Sequence, residues 1–192
     1  MIRGALFWEM RTLYSVQTNN PTEAMLKKRR EASWLESCGP TAAINCLVTA
    51  GQSTLISTPG GWEPQPEEVL LDYFHDYRNA SLLGSYEWPN RVMALYEPAI
   101  KAVFGVRVAV LPFRWAILID DLVAGCTVQL LLKEPGHYIA AVAYDDETDE
   151  VLYWDSWPDR FPDKKGFNVR LKREEFELNC HSLGVLYPRR TA

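Results

Sequence analysis

The sequence predicts an α+β fold, with helices in the N-terminal part and an antiparallel sheet in the C-terminal part. Three observations carry this. A run of small and apolar residues, Thr41-Ala-Ala-Ile-Asn-Cys-Leu-Val-Thr-Ala50, is opened by Ser37-Cys38-Gly39-Pro40 and closed by Gly51. Proline in the first turn and glycine past the end are the expected asymmetry of a helix. From residue 127 onward the apolar runs shorten to strand length, and a short polar stretch containing Asp145-Asp-Glu-Thr-Asp149 separates two of them. So short a connection joins antiparallel strands only, since a parallel pair needs a crossover. Finally, 192 residues that are 47% hydrophobic and 23% charged fit one packed domain over residues 1–192, and no repeat or low-complexity tract suggests a division.

The elements follow in order. Residues 1–17 read as irregular or extended, ending in Leu13-Tyr-Ser-Val-Gln17, and Thr18-Asn-Asn-Pro21 is a turn signal. A short polar helix fits residues 22–32. In the next helix Ala43, Cys46, Leu47 and Ala50 fall on one face, and the small side chains suit a buried helix packed closely on its neighbours. Residues 52–66, rich in Gly, Pro, Ser and Thr, read as a long loop bordering a functional cleft. Helices are expected at 66–78 and 89–104, a strand at Val106–Leu111 and a helix at Arg114–Ala124. The sheet continues with Thr127–Leu132, Tyr138–Tyr144 and Val151–Trp154. A loop over Ser156–Lys165 leads to a strand at 167–171, a short helix at Lys172–Leu178 and a last strand at Leu183–Leu186. Two layers are expected, helices on sheet.

Charge and cysteine usage narrow the function classes. The net charge of −5 opposes electrostatic binding to nucleic acid, which needs phosphate-neutralising Lys and Arg. The basic run Lys27-Lys28-Arg29-Arg30 reads as a solvated helix face. The N-terminal apolar stretch is closed off by Glu9 and Arg11 and is too short for a signal peptide, and no window reaches the ~18 apolar residues of a membrane span. A cytoplasmic protein with no membrane partner is the expectation. Four cysteines do not make a disulfide scaffold. Cys38 and Cys46, eight residues apart on one helix, would lie ~12 Å apart along its axis, too far for a bridge. There is no Cys-x-x-Cys, and adjacent Cys180-His181 is not a zinc-ligand spacing, so neither a metal nor another cofactor is expected.

The chemistry suggested by the sequence is that of an activated thiol. A thiol at neutral pH is mostly protonated, whereas the thiolate is the nucleophile. A helix N-terminus and a neighbouring imidazolium both favour the anion. Cys38 sits at the start of the strongest helix. Of the three histidines, His137 lies at the mouth of a strand in Glu134-Pro-Gly-His137-Tyr138, a rigid place to hold a ring. His75, within a predicted helix, and His181, beside Cys180, read as ordinary structural histidines. A histidine used as a base needs a partner on its other nitrogen. Asp155 ends the strand paired through the hairpin with the His137 strand, whereas Asp145, Asp146 and Asp149 lie at the far end and read as solvated turn residues. Trp34, Trp154 and Trp157 flank these positions in sequence and read as packing around the site walls.

With these residues in place, Ser37-Cys-Gly-Pro-Thr-Ala-Ala-Ile-Asn-Cys-Leu47 resembles the nucleophile helix of the C39-like branch of papain-like cysteine peptidases. Gly136-His-Tyr-Ile-Ala-Ala-Val-Ala-Tyr-Asp145 and Val151-Leu-Tyr-Trp-Asp155 resemble the same family's His and Asp strands. The resemblance covers about a quarter of the chain and implies a papain-like fold with Cys38, His137 and Asp155 as a triad. It also implies a glutamine upstream of the cysteine as an oxyanion-hole donor. Gln17 is the natural counterpart, although it stands 21 positions before Cys38 and the position six before Cys38 is Ala32. The implied activity is a peptidase or amidase acting on a peptide or protein substrate. An acyltransferase or transglutaminase-like enzyme on the same triad, and a catalytically silent papain-like binding module, are the alternatives.

Overall fold

Ten consecutive residues, Cys38–Leu47, form helix α1, and all ten are buried. This is why the segment is built from Gly, Ala, Thr, Ile, Asn, Cys and Leu: a helix covered all round leaves no face for charge. The helix runs on as a π-helical turn, Val48–Gln52, in which Gly51 takes φ 84°, the left-handed conformation that glycine supplies at a helix end. The computed structural model describes residues 1–4, 38–52, 69–70, 73–74, 89–134, 136–156 and 169–190. The expected helix at 22–32, the basic run, His75, Gln17 and nearly all of the 52–66 loop lie outside these residues; of the helix expected at 66–78, residues 69–70 and 73–74 are helical.

Besides α1 the described elements are β1 (Ile2–Gly4), α2 (Pro89–Phe104), β2 (Ala109–Pro112), α3 (Trp115–Val123), β3 (Thr127–Leu132), β4 (His137–Asp145), β5 (Glu150–Asp155), β6 (Val169–Lys172), α4 (Arg173–Asn179) and β7 (Cys180–Tyr187). The strands form one seven-stranded sheet in the order β2-β7-β3-β4-β5-β6, every pair antiparallel. β1 pairs with the end of β4, Ile2 opposite Asp145, beyond the stretch that β3 occupies. Among the described residues no helix is long and apolar enough to cross a membrane.

Helices cover both faces of the sheet, so the architecture has three layers rather than the two expected. On one face α1 and the Met93, Tyr96, Ala99 and Ile100 stripe of α2 pack on Leu131, Tyr138, Ala140, Leu152, Trp154, Val185 and Tyr187. On the other, Trp115, Leu118 and Leu122 of α3 and Phe176 of α4 pack on Leu130, Ile139, Val151, Tyr153 and Leu171. The sequence signal for this was the near-continuous apolar run of β3 and β4, every residue of which except Tyr144 is buried, since a strand apolar on both sides needs two covers.

Three local expectations change. The strand foreseen at Val106–Leu111 is Ala109–Pro112: Gly105, at φ 70°, ends α2, and Val106 and Val108 enter the α1–α2 core as an irregular connection. The last strand starts earlier, at Cys180. The aspartates of the β4–β5 turn are engaged rather than merely solvated. Asp145 is buried and accepts Arg170 of β6 at 3.0 Å, and Arg170 also donates to Glu150 at 2.7 Å. Asp146 pairs with Arg3 of β1, and Asp149 accepts the Tyr144 hydroxyl and the Trp115 indole N–H. Arg3, Trp115 and Arg170 come from distant elements, which a local reading of a turn does not contain.

Candidate active site

The site forms where the first residue of α1 meets the first residue of β4. Cys38 is 3% exposed and opens α1, so its side chain stands at the helix end whose N–H groups have no intrahelical acceptor. Gly39 has a specific steric reason: a Cβ there would lie 2.1 Å from the Tyr96 hydroxyl and 3.4 Å from the Tyr138 ring. The glycine of the Cys-Gly-Pro motif therefore lets α2 and β4 close on the first turn of α1, beyond leaving the thiol uncrowded. Tyr96 and Tyr138 hold buried hydroxyls without a hydrogen-bond partner beside it. Burial above all pushes both phenols up, so they stay neutral.

His137 follows Gly136, whose φ of 76° turns the chain into β4. Ile139 stands directly opposite Asp155, so His137, two residues earlier, is its diagonal neighbour across the β4–β5 pair. The His137 Nε2–H donates to Asp155 Oδ1 at 2.7 Å, with the His137 side chain 3% and the Asp155 side chain 0% exposed. The ring also hydrogen-bonds the Cys38 side chain, for which Nδ1 is the nitrogen left. Burial pushes the ring toward its neutral form. The bonds to Asp155 and Cys38 outweigh that and, with the charges of both, raise it from 6.5 to about 9. The ring is thus held toward its imidazolium form between Asp155 and Cys38.

The structure brings Cys38, His137 and Asp155 together, and Gln17 lies outside the described residues. His181 sits on β7, with β3 between it and β4; burial and then Lys133 push it toward neutrality. Trp154 is fully buried in the α1-side core, as a wall residue would be, while Trp34 and Trp157 lie outside the described residues. Among the described residues no group of three His, Cys, Asp or Glu is arranged to hold a metal ion.

One group near the site was not singled out in the sequence. Gln129 lies mid-strand in β3, is fully buried, and donates from Nε2 to the Gly39 carbonyl at 3.1 Å. Within Thr127-Val-Gln-Leu-Leu-Leu132 the signal was available: a polar amide inside a strand otherwise buried on both faces needs a partner.

An α+β fold in which a buried helix presents a cysteine to the strand ends of an antiparallel sheet carrying His and Asp is papain-like. Residues 13–179 match the Peptidase_C39 like family, and the chain belongs to that family. Its function is accordingly of the cysteine peptidase type. A comparison with curated proteins found no match.

Proposed function

We propose that the protein hydrolyses a peptide or isopeptide bond through an acyl-enzyme on Cys38, with His137 and Asp155 completing the triad and Gln17 lending its side-chain amide to the oxyanion hole. The observation that carries this reading is the buried hydrogen-bonded run Cys38–His137–Asp155, with the ring held protonated. An imidazolium beside a cysteine at a helix N-terminus is the setting in which the thiolate persists at neutral pH.

The thiolate attacks the carbonyl carbon, and the negative charge that develops on its oxygen is met by the Cys38 N–H and the Gln17 amide. His137 then gives its Nδ1 proton to the departing amine, and the C–N bond breaks. The neutral ring takes a proton from water as it attacks the thioester, and the imidazolium–thiolate pair is restored when the acid leaves. Asp155 keeps the Nε2–H engaged throughout, which fixes the ring and stabilises its cation.

Limited iodoacetamide labelling at neutral pH tests the nucleophile. Cys38 should label ahead of the other three cysteines. Burial holds Cys46 fully protonated and pushes Cys180 up to about 12. Cys126 is the better exposed competitor, so the result separates activation from mere access. Peptide mapping that finds Cys126 modified first would remove Cys38 from its role.

The oxyanion donor has its own signature. Gln17→Ala should slow acylation by about 10²–10³, the usual cost of one such donor, while leaving iodoacetamide labelling of Cys38 nearly unchanged, because alkylation forms no oxyanion. Full activity in this variant would assign the donor elsewhere.

A further inference from the structure

We infer that Gln129, its amide oriented by Tyr187, is a positioning residue for the nucleophile: it holds the Gly39 carbonyl and so fixes the angle at which Cys38 leaves the first turn of α1. The inference deepens the cysteine-nucleophile reading and rests on it.

β3 is an interior strand, flanked by β7 and β4. Gln129 and its neighbours Thr127 and Leu131 share the face that α1 covers, and all three are buried. A buried amide costs stability unless its hydrogen bonds are made, and a leucine or methionine could fill the same space without that demand. The polar residues in this row both bind α1, at opposite ends. The Thr127 hydroxyl donates to the Cys46 carbonyl at 2.9 Å, and Gln129 Nε2 donates to the Gly39 carbonyl at 3.1 Å.

The Gln129 bond differs from the Thr127 bond in being oriented from behind. The Tyr187 hydroxyl of β7 donates to Gln129 Oε1 at 2.7 Å, which fixes which end of the amide is oxygen and turns the N–H₂ end toward α1. The Tyr96 hydroxyl stands close to the same amide without hydrogen-bond geometry to it, and also presses on Gly39. Gly39 is thereby gripped at its carbonyl oxygen by Gln129 and at its α-carbon by Tyr96. The residue just before this grip in the chain is Cys38. Gly39 is followed by Pro40, whose nitrogen carries no proton, so the Gly39–Pro40 peptide is anchored through its carbonyl alone. Loss of the Gln129 bond frees the peptide that follows Gly39, and with it the first turn of α1 from which the Cys38 side chain projects toward His137.

The test uses the full chain and four proteins: wild type, Gln129→Met, Tyr187→Phe and Thr127→Val. The readouts are the rate of Cys38 alkylation by iodoacetamide at pH 6 relative to pH 9, and the melting temperature. Gln129→Met should lower the pH 6 to pH 9 rate ratio by about ten- to hundred-fold, the cost of misplacing a reacting group. Tyr187→Phe should shift it in the same direction by less, and it decides the matter if Gln129→Met does not fold. Thr127→Val should melt lower yet keep the wild-type ratio, because it loosens the far end of the helix. A wild-type ratio in Tyr187→Phe and Gln129→Met, or an equal fall in Thr127→Val, would overturn the positioning role while leaving the nucleophile in place. Wild-type Cys38 that alkylates at pH 6 no faster than the cysteines of the denatured chain would overturn both.

Discussion

Cys38→Ala should reduce turnover by roughly 10⁶, the order of loss seen when an acyl-transfer nucleophile is deleted, and should abolish capture of an acyl-enzyme. The chain should still fold. α1 is held by the burial of its other nine residues and by the Thr127 and Gln129 bonds to its carbonyls, none of which involves the Cys38 sulfur. Removing one sulfur atom from a 3% exposed site costs a small part of that packing. Far-UV circular dichroism and a melting curve establish the fold, and intact mass after incubation with an electrophilic peptide probe reports the covalent step. Turnover at the wild-type level in this variant would mean that another group forms the acyl bond. Adduct on the alanine variant equal to that on wild type would mean that the probe reads a different cysteine.

Parts of this site were legible in the sequence because they are set by neighbours in the chain. Pro40 and Gly51 bracket α1, since one cannot continue a helix backwards and the other supplies the left-handed residue after it. That the His137 and Asp155 strands pair through one hairpin was legible, but their register was not: a shift between Ala141 and Ala143 moves the pairing by one residue, from Tyr144 opposite Val151 to Ile139 opposite Asp155, and this places His137 and Asp155 on one face as diagonal neighbours. What was not legible depends on contacts between elements far apart in sequence. Gln129 reads as a strand residue until α1 is laid over it, 90 positions away in the chain. The engagement of Asp145 requires β6, and that of Asp146 requires β1, so both looked like free turn residues. The displaced β2 reflects a competition: Val106 and Val108 have strand propensity, yet both are buried in the core that α1 and α2 form, and the ladder begins only at Ala109.

Asp155→Asn should lower kcat at neutral pH by roughly 10²–10⁴ while leaving the ring in place, a smaller loss than Cys38→Ala. The amide oxygen of asparagine can still accept the His137 Nε2–H, so the substitution removes charge more than contact. In the wild type, burial favours the neutral ring, and the Asp155 and Cys38 contacts overcome it to reach about 9. Without the carboxylate, burial gains ground and the ring titrates lower, so at pH 7 less of the protein carries the imidazolium that accompanies the thiolate and protonates the leaving amine. The same change must appear in stability. A histidine whose folded value lies above its unfolded 6.5 contributes stability that is fully present below about pH 6.5 and is lost as the pH rises through about 9. Wild-type unfolding free energy should therefore fall between these limits by an amount attributable to His137, and Asp155→Asn should flatten that decline. Urea denaturation at pH 6, 7, 8 and 9.5 measures it, alongside the pH dependence of kcat/KM. A variant that keeps both the wild-type rate and the wild-type slope would show that the carboxylate does not hold the proton on His137, and the triad would reduce to a Cys–His pair.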